Sequence, residues 1–444
     1  MDTVTDTLMD ALLEGAKPDQ IAELPLPDSC TAACLHREDE GLFSAHEAEP
    51  DITRSIHIEQ VPVPTLAPDE VLVAVFASAI NYNTVWSAMF RPASTFSFLD
   101  HQARTSDWAA RHATDRQVIG SDAAGVIVRK GDSVRHWELG DKVVVSAVYT
   151  DEQQPEAHWD GMLASNQLAW GFETNFGGLA HYAVVKSTAL LPKAPHLSWE
   201  EAAANTLCGM TAYRMLVSSR GAAMKQGDIV LIWGASGGLG GYAVQLVKNG
   251  GGIAVGVVGS EAKRDLATRL GCDAVINRQE LEGGFAGVAA WRELGRQIRG
   301  HVGEDPHIVF EHTGQDTFGA SVYVARRGGT IITCGSSTGY EHTFDNRFLW
   351  MKIKRIIGSH GANYQEASEF NRLVAMGHIV PTLSTVYPLA EAADAARSVQ
   401  LNQHTGKVGV LCMAPEEQLG IEDRALRDQI GEERLRLFRD FSGS

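Results

Sequence analysis

The chain of 444 residues is longer than one compact core usually requires, so two domains are expected. Its 44% hydrophobic and 21% charged residues exclude the disordered, collagen-like and membrane-embedded classes. The net charge of −17 argues against nucleic acid as a partner, because binding to phosphate backbones needs a basic surface.

The first twenty residues, "MDTVTDTLMDALLEGAKPDQ", start acidic and lack the basic and apolar regions of a secretory signal. No apolar run reaches membrane-spanning length. The six cysteines are scattered and form no C-x-x-C pair. We therefore expect a cytoplasmic protein with reduced thiols and no membrane partner.

In chain order, residues 1–40 are predicted to form an N-terminal helical extension. Residues 41–200 contain β-rich segments such as "SIHIEQVPVPTLAPDEVLVAVFASAI", whose apolar and polar residues alternate as in antiparallel strands. This region is predicted to be a small β-barrel catalytic domain. Residues 86–117 lack the alternation and are rich in aromatic and charged residues, which favours a helical insertion.

Residues 201–360 change in character, with a helical segment followed by alternating strands and helices. Later strands are predicted at "HIVFEH" and "GGTIITCG", which completes a doubly wound parallel sheet of the Rossmann type. Residues 361–444 are predicted to return to the first domain through "KVGVLCM" and to end in a charged amphipathic helical tail. The predicted fold class is therefore α/β with an added β-barrel.

A glycine-rich turn lies between a strand and a helix in "IVLIWGASGGLGGYAVQL". Glycines let the backbone approach a pyrophosphate, and the helix N-terminus offers unpaired N–H groups to it. The flanking strand and helix favour a dinucleotide site over a purely structural turn. The predicted cofactor contacts are Gly234, Ala235, Ser236, Gly237, Gly238, Leu239 and Gly240.

The next strand ends where an NAD-dependent enzyme would carry a carboxylate for the ribose hydroxyls. Ser260, Lys263 and Arg264 follow it instead. An arginine suits the 2′-phosphate of NADPH, so NADPH is the predicted cofactor. The alternative is that these cations only line a solvated helix face.

The predicted domain order resembles that of the medium-chain dehydrogenase/reductase superfamily, in which a GroES-like β-barrel catalytic domain is followed by a Rossmann domain and a return to the barrel. Its zinc-dependent members carry a Gly-His-Glu motif, but the corresponding stretch here is Gly120-Ser121-Asp122 and contains no histidine. The cysteines do not cluster either, so no metal is expected. Zinc-free relatives include enoyl and quinone reductases, which transfer hydride to an activated C=C bond.

Four pieces carry a more specific resemblance: "INYNTVW", "WGFETNFGG", "RIIGSHGANYQEA" and the helical insertion after Trp86. Together they resemble crotonyl-CoA carboxylase/reductase. The resemblance implies NADPH-dependent reductive carboxylation of a 2-enoyl-CoA, crotonyl-CoA or longer, to an alkylmalonyl-CoA such as the polyketide extender unit ethylmalonyl-CoA. Hydride addition at the β-carbon gives an enolate, whose α-carbon attacks CO2. The resemblance also implies a homotetramer.

The same resemblance assigns four catalytic residues. Asn81 would donate to one CO2 oxygen, and His360 would hold the other through an ordered water. Glu173 would orient that water and His360, while Phe172 would exclude bulk water. Taken singly, these residues have plainer interpretations as a turn cap, a half-buried histidine, an exposed loop charge and a core anchor.

For the acyl-CoA, the family implies a basic surface near the Rossmann domain. Arg347, Lys352, Lys354 and Arg355 would contact the CoA phosphates, although such cations also edge strands. Thr211 is predicted to lie beside the nicotinamide, by analogy with other members of the superfamily.

Two alternative functions stay open on the sequence. One is a zinc-free enoyl or quinone reductase that protonates the enolate and fixes no CO2. The other is a catalytically silent nucleotide-binding protein.

Overall fold

The computed structural model describes residues 3–44, 47, 49–281 and 287–442 and divides the chain into two compact units. The first unit comprises Met1–Leu207 and Leu383–Leu435, and the second comprises Cys208–Thr382 and Arg436–Ser444. This division differs from the expected domain boundaries, because the second unit extends beyond residue 360 to Thr382 and also takes the end of the tail.

The first unit is built on a seven-stranded sheet in the order β10-β6-β5-β3-β18-β17, with β9 paired to β3, beside a three-stranded sheet β2-β1-β4. All ten residues of β3 are buried, and β5, β9 and β18 all pair with it. The strands of this unit are β1 Ser29–His36, β2 His57–Pro62, β3 Glu70–Ala79, β4 Arg116–Val118, β5 Ala124–Lys130, β6 Lys142–Val145, β7 Val148–Tyr149, β8 Leu168–Ala169, β9 Tyr182–Lys186, β10 Leu190–Pro192, β17 Leu383–Pro388 and β18 Lys407–Leu411.

The helices of the first unit lie in its N-terminal part, in the insertion, between later strands and in the tail. They are α1 Thr3–Leu13, α2 Pro18–Glu23, α3 Tyr82–Met89, α4 Thr95–Gln102, α5 Asp107–Ala110, α6 Ala157–Asp160, α7 Trp199–Ala204, α15 Ala392–Gln400, α16 Arg424–Ile430 and α17 Glu432–Leu435. The expected helical extension over residues 1–40 is therefore only partly helical, because β1 follows α2. In the insertion, the Ser94 and Ser106 side chains cap α4 and α5 by accepting backbone N–H bonds.

The second unit contains a six-stranded sheet in the order β13-β12-β11-β14-β15-β16, in which all neighbouring strands are parallel. The order reverses direction at β11, as in doubly wound nucleotide-binding sheets. Its strands are β11 Ile229–Trp233, β12 Ile253–Val258, β13 Ala274–Asn277, β14 Ile308–Glu311, β15 Thr330–Thr333 and β16 Arg355–Gly358. Its helices are α8 Thr206–Leu216, which begins in the first unit, α9 Gly238–Asn249, α10 Glu261–Leu270, α11 Val288–Val302, α12 Phe318–Val324, α13 Asn346–Trp350 and α14 Tyr364–Ala375.

The C-terminal tail is not one continuous helix. Gly431, at φ +89°, separates α16 from α17. The tail is fixed to the first unit by Arg427, whose buried guanidinium donates to the Glu201 carboxylate at 2.7 Å. Within the described residues, no helix combines the length and apolar character that crossing a membrane requires.

Candidate active site

The predicted nucleotide turn connects β11 to α9 in the second unit. Gly237 is the N-cap residue of α9, and its N–H donates to the Gly234 carbonyl at 2.9 Å. A Cβ atom on Gly240 would lie 2.8 Å from the Gly234 carbonyl carbon, so only glycine lets the helix start this close to the turn. The arrangement presents the N–H groups of a helix N-terminus, which suit a pyrophosphate.

Local partners hold Ser260 and Arg264, which were predicted to contact the ribose phosphate. Ser260 caps α10 by accepting from the Lys263 backbone N–H at 3.3 Å. The Arg264 guanidinium is paired with Glu280 at 2.5 Å and with Glu261 at 3.3 Å. Because two carboxylates already neutralise Arg264, it suits a phosphate less well than the sequence suggests.

Arg278 is a cation that the sequence analysis missed. Its Nε atom lies 3.2 Å from the position that a Cβ of Gly259 would take, at the end of β12. Burial lowers the pKa of Lys263, and the Arg278 charge lowers it further. The sequence position of Arg278 could have indicated this role, because Arg278 directly follows β13. The carboxyl ends of neighbouring parallel strands share one edge of a sheet.

Asn81 lies in the first unit at the N-cap position of α3, but its side chain makes no capping bond. The amide Nδ2 donates to Asp122 Oδ2 at 2.8 Å, and Oδ1 accepts from Lys407 Nζ at 2.6 Å. The side chain is therefore held in a buried polar group and does not serve as a turn cap.

Phe172 and Glu173 lie in a half-buried turn that follows β8. Glu173 Oε2 accepts from the Ala169 backbone N–H at 2.8 Å, which fixes one carboxylate oxygen. The Phe172 ring lies 6.2 Å from the Phe98 ring of α4, and its carbonyl accepts from Gln117 Nε2 at 2.8 Å. The second Glu173 oxygen is the acceptor that the predicted role requires.

The segment Ser121-Asp122 connects Asn81 with the Phe172–Glu173 turn. Ser121 Oγ donates to the Trp170 carbonyl at 2.7 Å, directly before that turn. Asp122 holds Asn81, as described above. One short segment of the first unit thus holds Asn81 directly and is bonded to Trp170, which precedes the Phe172–Glu173 turn.

Asn175 fixes the turn to the helical insertion, which the sequence analysis did not anticipate. Its Oδ1 accepts from the Val118 backbone N–H at 2.8 Å, and its Nδ2 donates to the Arg116 carbonyl at 2.7 Å. Its backbone N–H donates to His112 Nδ1 at 3.1 Å. A buried asparagine that satisfies several backbone groups cannot be recognised from sequence, because its partners lie more than fifty residues away.

The burial of His112 makes stability depend on pH. Burial, together with the Arg111 charge, lowers the pKa of His112 to about 3. The unfolded chain therefore takes up a proton near pH 6.5 that the folded chain excludes, so stability is lost as pH falls from about 6.5 towards 3. We expect His112→Asn to reduce that loss by up to about 1.4 kcal/mol per pH unit. The measured quantity is the free energy of unfolding, obtained from denaturation curves between pH 6 and 4.

The matched control for this prediction is His301→Asn, at an exposed position of α11. Its stability should follow the wild-type pH dependence. An unchanged slope in His112→Asn would show that this histidine does not carry the acid sensitivity.

Thr211 and His360 belong to the second unit. Thr211 is buried on α8, and His360 is exposed just after β16. Asn81, Phe172 and Glu173 therefore lie in the first unit, whereas His360 lies in the second.

One of the four cations predicted to contact CoA has a structural role. Lys354 is buried, and its Nζ donates to two backbone carbonyls at the end of α12 at 2.6 and 3.0 Å. Burial and the Lys352 charge lower the pKa of Lys354 to about 8. Arg347 is exposed but paired with Asp345 at 2.7 Å. Lys352 and Arg355 are exposed.

The Ser121-Asp122 segment does not fit a catalytic zinc ion. Ser121 stands where a histidine ligand would be, and Asp122 is bonded to the Lys407 ammonium at 2.8 Å, whose charge would repel a cation. Elsewhere in the described ranges, His36, Asp39 and His57 bring potential ligand atoms within 4.8 Å of one another. Both imidazoles there are already hydrogen-bonded to carboxylates.

Comparison with known proteins identifies relatives of both units. Residues 67–195 match the alcohol dehydrogenase GroES-like domain, and residues 238–376 match the zinc-binding dehydrogenase family. The chain is 51% identical to crotonyl-CoA reductase of Streptomyces avermitilis, over 95% of this chain and 97% of that protein. It is 37% identical to crotonyl-CoA carboxylase/reductase of Cereibacter sphaeroides, over 89% of this chain and 91% of the relative.

Among solved structures, the 2-octenoyl-CoA carboxylase reductase CinF in complex with NADP and 2-octenoyl-CoA superposes with a TM-score of 0.95. It is 56% identical in sequence, and the match covers 98% of this chain and 100% of that one. The comparisons confirm the predicted α/β fold, with its GroES-like and Rossmann domains. The chain belongs to the crotonyl-CoA carboxylase/reductase family of the medium-chain dehydrogenase/reductase superfamily.

Proposed function

We propose that this protein catalyses the NADPH-dependent reductive carboxylation of a 2-enoyl-CoA, crotonyl-CoA or longer, to an alkylmalonyl-CoA. Family membership supports the reaction class, since relatives are a crotonyl-CoA carboxylase/reductase and a 2-octenoyl-CoA carboxylase reductase. The observation that carries the proposal is the attachment of both Asn81 and the Phe172–Glu173 turn to Ser121-Asp122.

The reaction requires the chain to favour CO2 over a proton at the α-carbon of an enolate. The Asn81 amide would donate to a CO2 oxygen as negative charge develops there. Glu173 would accept from a water that, together with His360, binds the second oxygen, and the Phe172 ring would keep bulk water away from the α-carbon. His360 enters this proposal on the family resemblance.

NADPH, when bound, supplies the hydride that reaches the β-carbon. The glycine-rich turn and the N-terminus of α9 would hold its pyrophosphate, and Thr211 would lie beside the nicotinamide. Arg278, which lies beside Gly259 at the end of β12, would meet its 2′-phosphate together with Lys263, whereas Arg264 is already paired with carboxylates.

Arg278→Ala should therefore raise the KM for NADPH about tenfold to a hundredfold, since a hydrogen bond to a charged group contributes about 1.5–3 kcal/mol. The KM for NADH should change little, because NADH lacks the 2′-phosphate. Arg264→Ala is the matched control and should leave both constants nearly unchanged. Steady-state kinetics with both cofactors decide this; a KM for NADPH that rises only in Arg264→Ala would assign phosphate recognition to Arg264.

The CoA contacts and the assembly are parts of the same proposal. The exposed Lys352 and Arg355, with Arg347, would meet the CoA phosphates. The family resemblance implies a homotetramer, and an exposed sheet edge supports association between copies: β16 is an edge strand, Ile356 within it is 37% exposed, and Ile353, two residues before it, is 69% exposed. The six cysteines are free thiols, which suits the cytoplasm that we propose as the compartment. Light scattering during size-exclusion chromatography tests the assembly, and a monomer would contradict it.

The proposed activity is tested with 2-enoyl-CoA substrates of increasing chain length, NADPH and ¹³C-bicarbonate, followed by mass analysis of the products. Incorporation of label into an alkylmalonyl-CoA is expected. NADPH oxidation with an unlabelled, saturated acyl-CoA as the sole product would establish a plain enoyl reductase instead. The absence of any NADPH oxidation would favour the catalytically silent alternative.

A further inference from the structure

Three buried side chains of the first unit hold one another in a polar cluster, Asn81, Asp122 and Lys407. They are 5%, 0% and 3% exposed. The ammonium of Lys407 has three N–H donors, and three acceptors surround it. These are the Ile80 carbonyl at 2.8 Å, Asn81 Oδ1 at 2.6 Å and Asp122 Oδ2 at 2.8 Å.

The Asp122 carboxylate is equally well satisfied. Its Oδ2 accepts from Asn81 and Lys407, and its Oδ1 accepts from Thr206 Oγ1 and from the Leu207 backbone N–H, the latter at 2.8 Å. The Asp122 carbonyl also accepts from Ser78 Oγ at 2.6 Å. The cluster is thus fixed to β3, to the start of β18 and to the start of α8.

This arrangement fixes the direction of the Asn81 amide. The amide oxygen accepts from the Lys407 ammonium, and the amide nitrogen donates to the Asp122 carboxylate. A reversed amide would bring N–H against the ammonium and the oxygen against the carboxylate, and both contacts would be repulsive in a buried site. Donation from Lys407 to the amide oxygen also polarises the amide, which strengthens its N–H groups as donors.

A buried ion pair is weak evidence for a stabilising role. Well-packed apolar residues often replace a buried salt bridge without loss of stability. The cluster includes Asn81, the N-cap residue of α3, which the family resemblance assigns to CO2 binding. The position of Lys407, 326 residues after Asn81 in the chain, means that β18 brings its charge to this amide.

We propose that Lys407 and Asp122 are positioning residues for CO2 capture: they orient and polarise the Asn81 amide so that its N–H group stabilises the CO2 oxygen. The proposal rests on the proposed carboxylase function and assigns it two further determinants. Neither residue needs to touch substrate. Their effect should appear in the choice between CO2 and a proton, more than in hydride transfer.

The test compares Lys407→Met and Asp122→Asn with Lys193→Met. Lys193 is a second buried lysine of the first unit, whose ammonium donates to backbone carbonyls, including that of Gly420 at 2.9 Å, and not to Asn81 or Asp122. The readouts are the ratio of ¹³C-labelled alkylmalonyl-CoA to reduced acyl-CoA, the apparent KM for CO2 and the kcat for NADPH oxidation. Far-UV circular dichroism checks folding.

In Lys407→Met and Asp122→Asn, the ratio should fall at least tenfold and the KM for CO2 should rise at least tenfold, while kcat for NADPH oxidation falls less. In Lys193→Met the ratio should stay within twofold of wild type. If the charge-removing variants do not fold, Lys407→Arg and Asp122→Glu keep the charges but displace the bonding atoms, and should lower the ratio at least threefold.

The two possible failures are distinguishable. A wild-type protein that incorporates no label overturns the proposed function and this inference together. A wild-type protein that does incorporate label, with cluster variants whose ratio matches that of Lys193→Met, overturns only the inference and gives the cluster a purely structural role.

Discussion

Asn81→Leu is expected to lower the ratio of carboxylated to reduced product by about tenfold to a hundredfold, while NADPH oxidation persists. The two products arise from one enolate, so their ratio reports only the difference between the barriers to CO2 attack and to protonation. A donor to an oxygen on which charge develops contributes about 1.5–3 kcal/mol to one of those barriers. Leucine preserves the size of the side chain and removes that donor.

Part of the effect of Asn81→Leu will be on stability, because Lys407 and Asp122 each lose a partner. Asn205→Leu is the matched control: Asn205 is 4% exposed in the first unit, and its Nδ2 donates to the Glu201 carbonyl at 2.8 Å. This control should lose stability and keep the wild-type product ratio. If both products fall in parallel in Asn81→Leu, the residue serves folding or substrate binding and not CO2 capture.

The features that the sequence predicted are local ones. The glycine-rich turn could be recognised because the close approach of Gly240 to Gly234 requires glycine, and because strand and helix flank it directly. The Rossmann strands are continuous apolar segments, since helices cover both faces of such a sheet. The Phe172–Glu173 turn was found by its resemblance to a family, and its composition alone gave no role.

The features that the sequence missed depend on contacts between distant residues. In the sequence, Asp122 was considered only as part of a motif that lacks the histidine of zinc-dependent relatives. In the structure it pairs with Lys407, 285 residues further on. The predicted strand "KVGVLCM" contained Lys407, but the register of β18 against β3 decides which side chain reaches Asn81. Lys354 was predicted to contact CoA because of its charge. In the structure it is buried, and its ammonium donates to two backbone carbonyls.

Gly171→Ala is expected to disorder the turn that carries Phe172 and Glu173, and to remove carboxylation more than reduction. Gly171 has φ +68°, and an added Cβ would lie 2.7 Å from the Gly120 carbonyl carbon. The left-handed conformation costs an L-residue about 1–2 kcal/mol, and the backbone overlap adds to it. We expect a total above about 3 kcal/mol, because neither the turn nor the segment at Gly120 can move without breaking bonds to Asn175 or Ser121.

Gly15→Ala separates these two contributions. Gly15 has a similar φ of +82° in the first unit, but nothing lies within 4 Å of its added Cβ, so this variant carries the conformational cost without the overlap. Hydrogen–deuterium exchange of residues 168–180 should rise at least tenfold in Gly171→Ala and stay unchanged in Gly15→Ala. Faster exchange with an unchanged product ratio would show that the turn is not needed to exclude water from the enolate. Slow exchange in Gly171→Ala would mean that the Ser121-Asp122 segment moves and the turn does not. In that case Asn81, which Asp122 holds, would also be displaced, and the product ratio should fall for that reason.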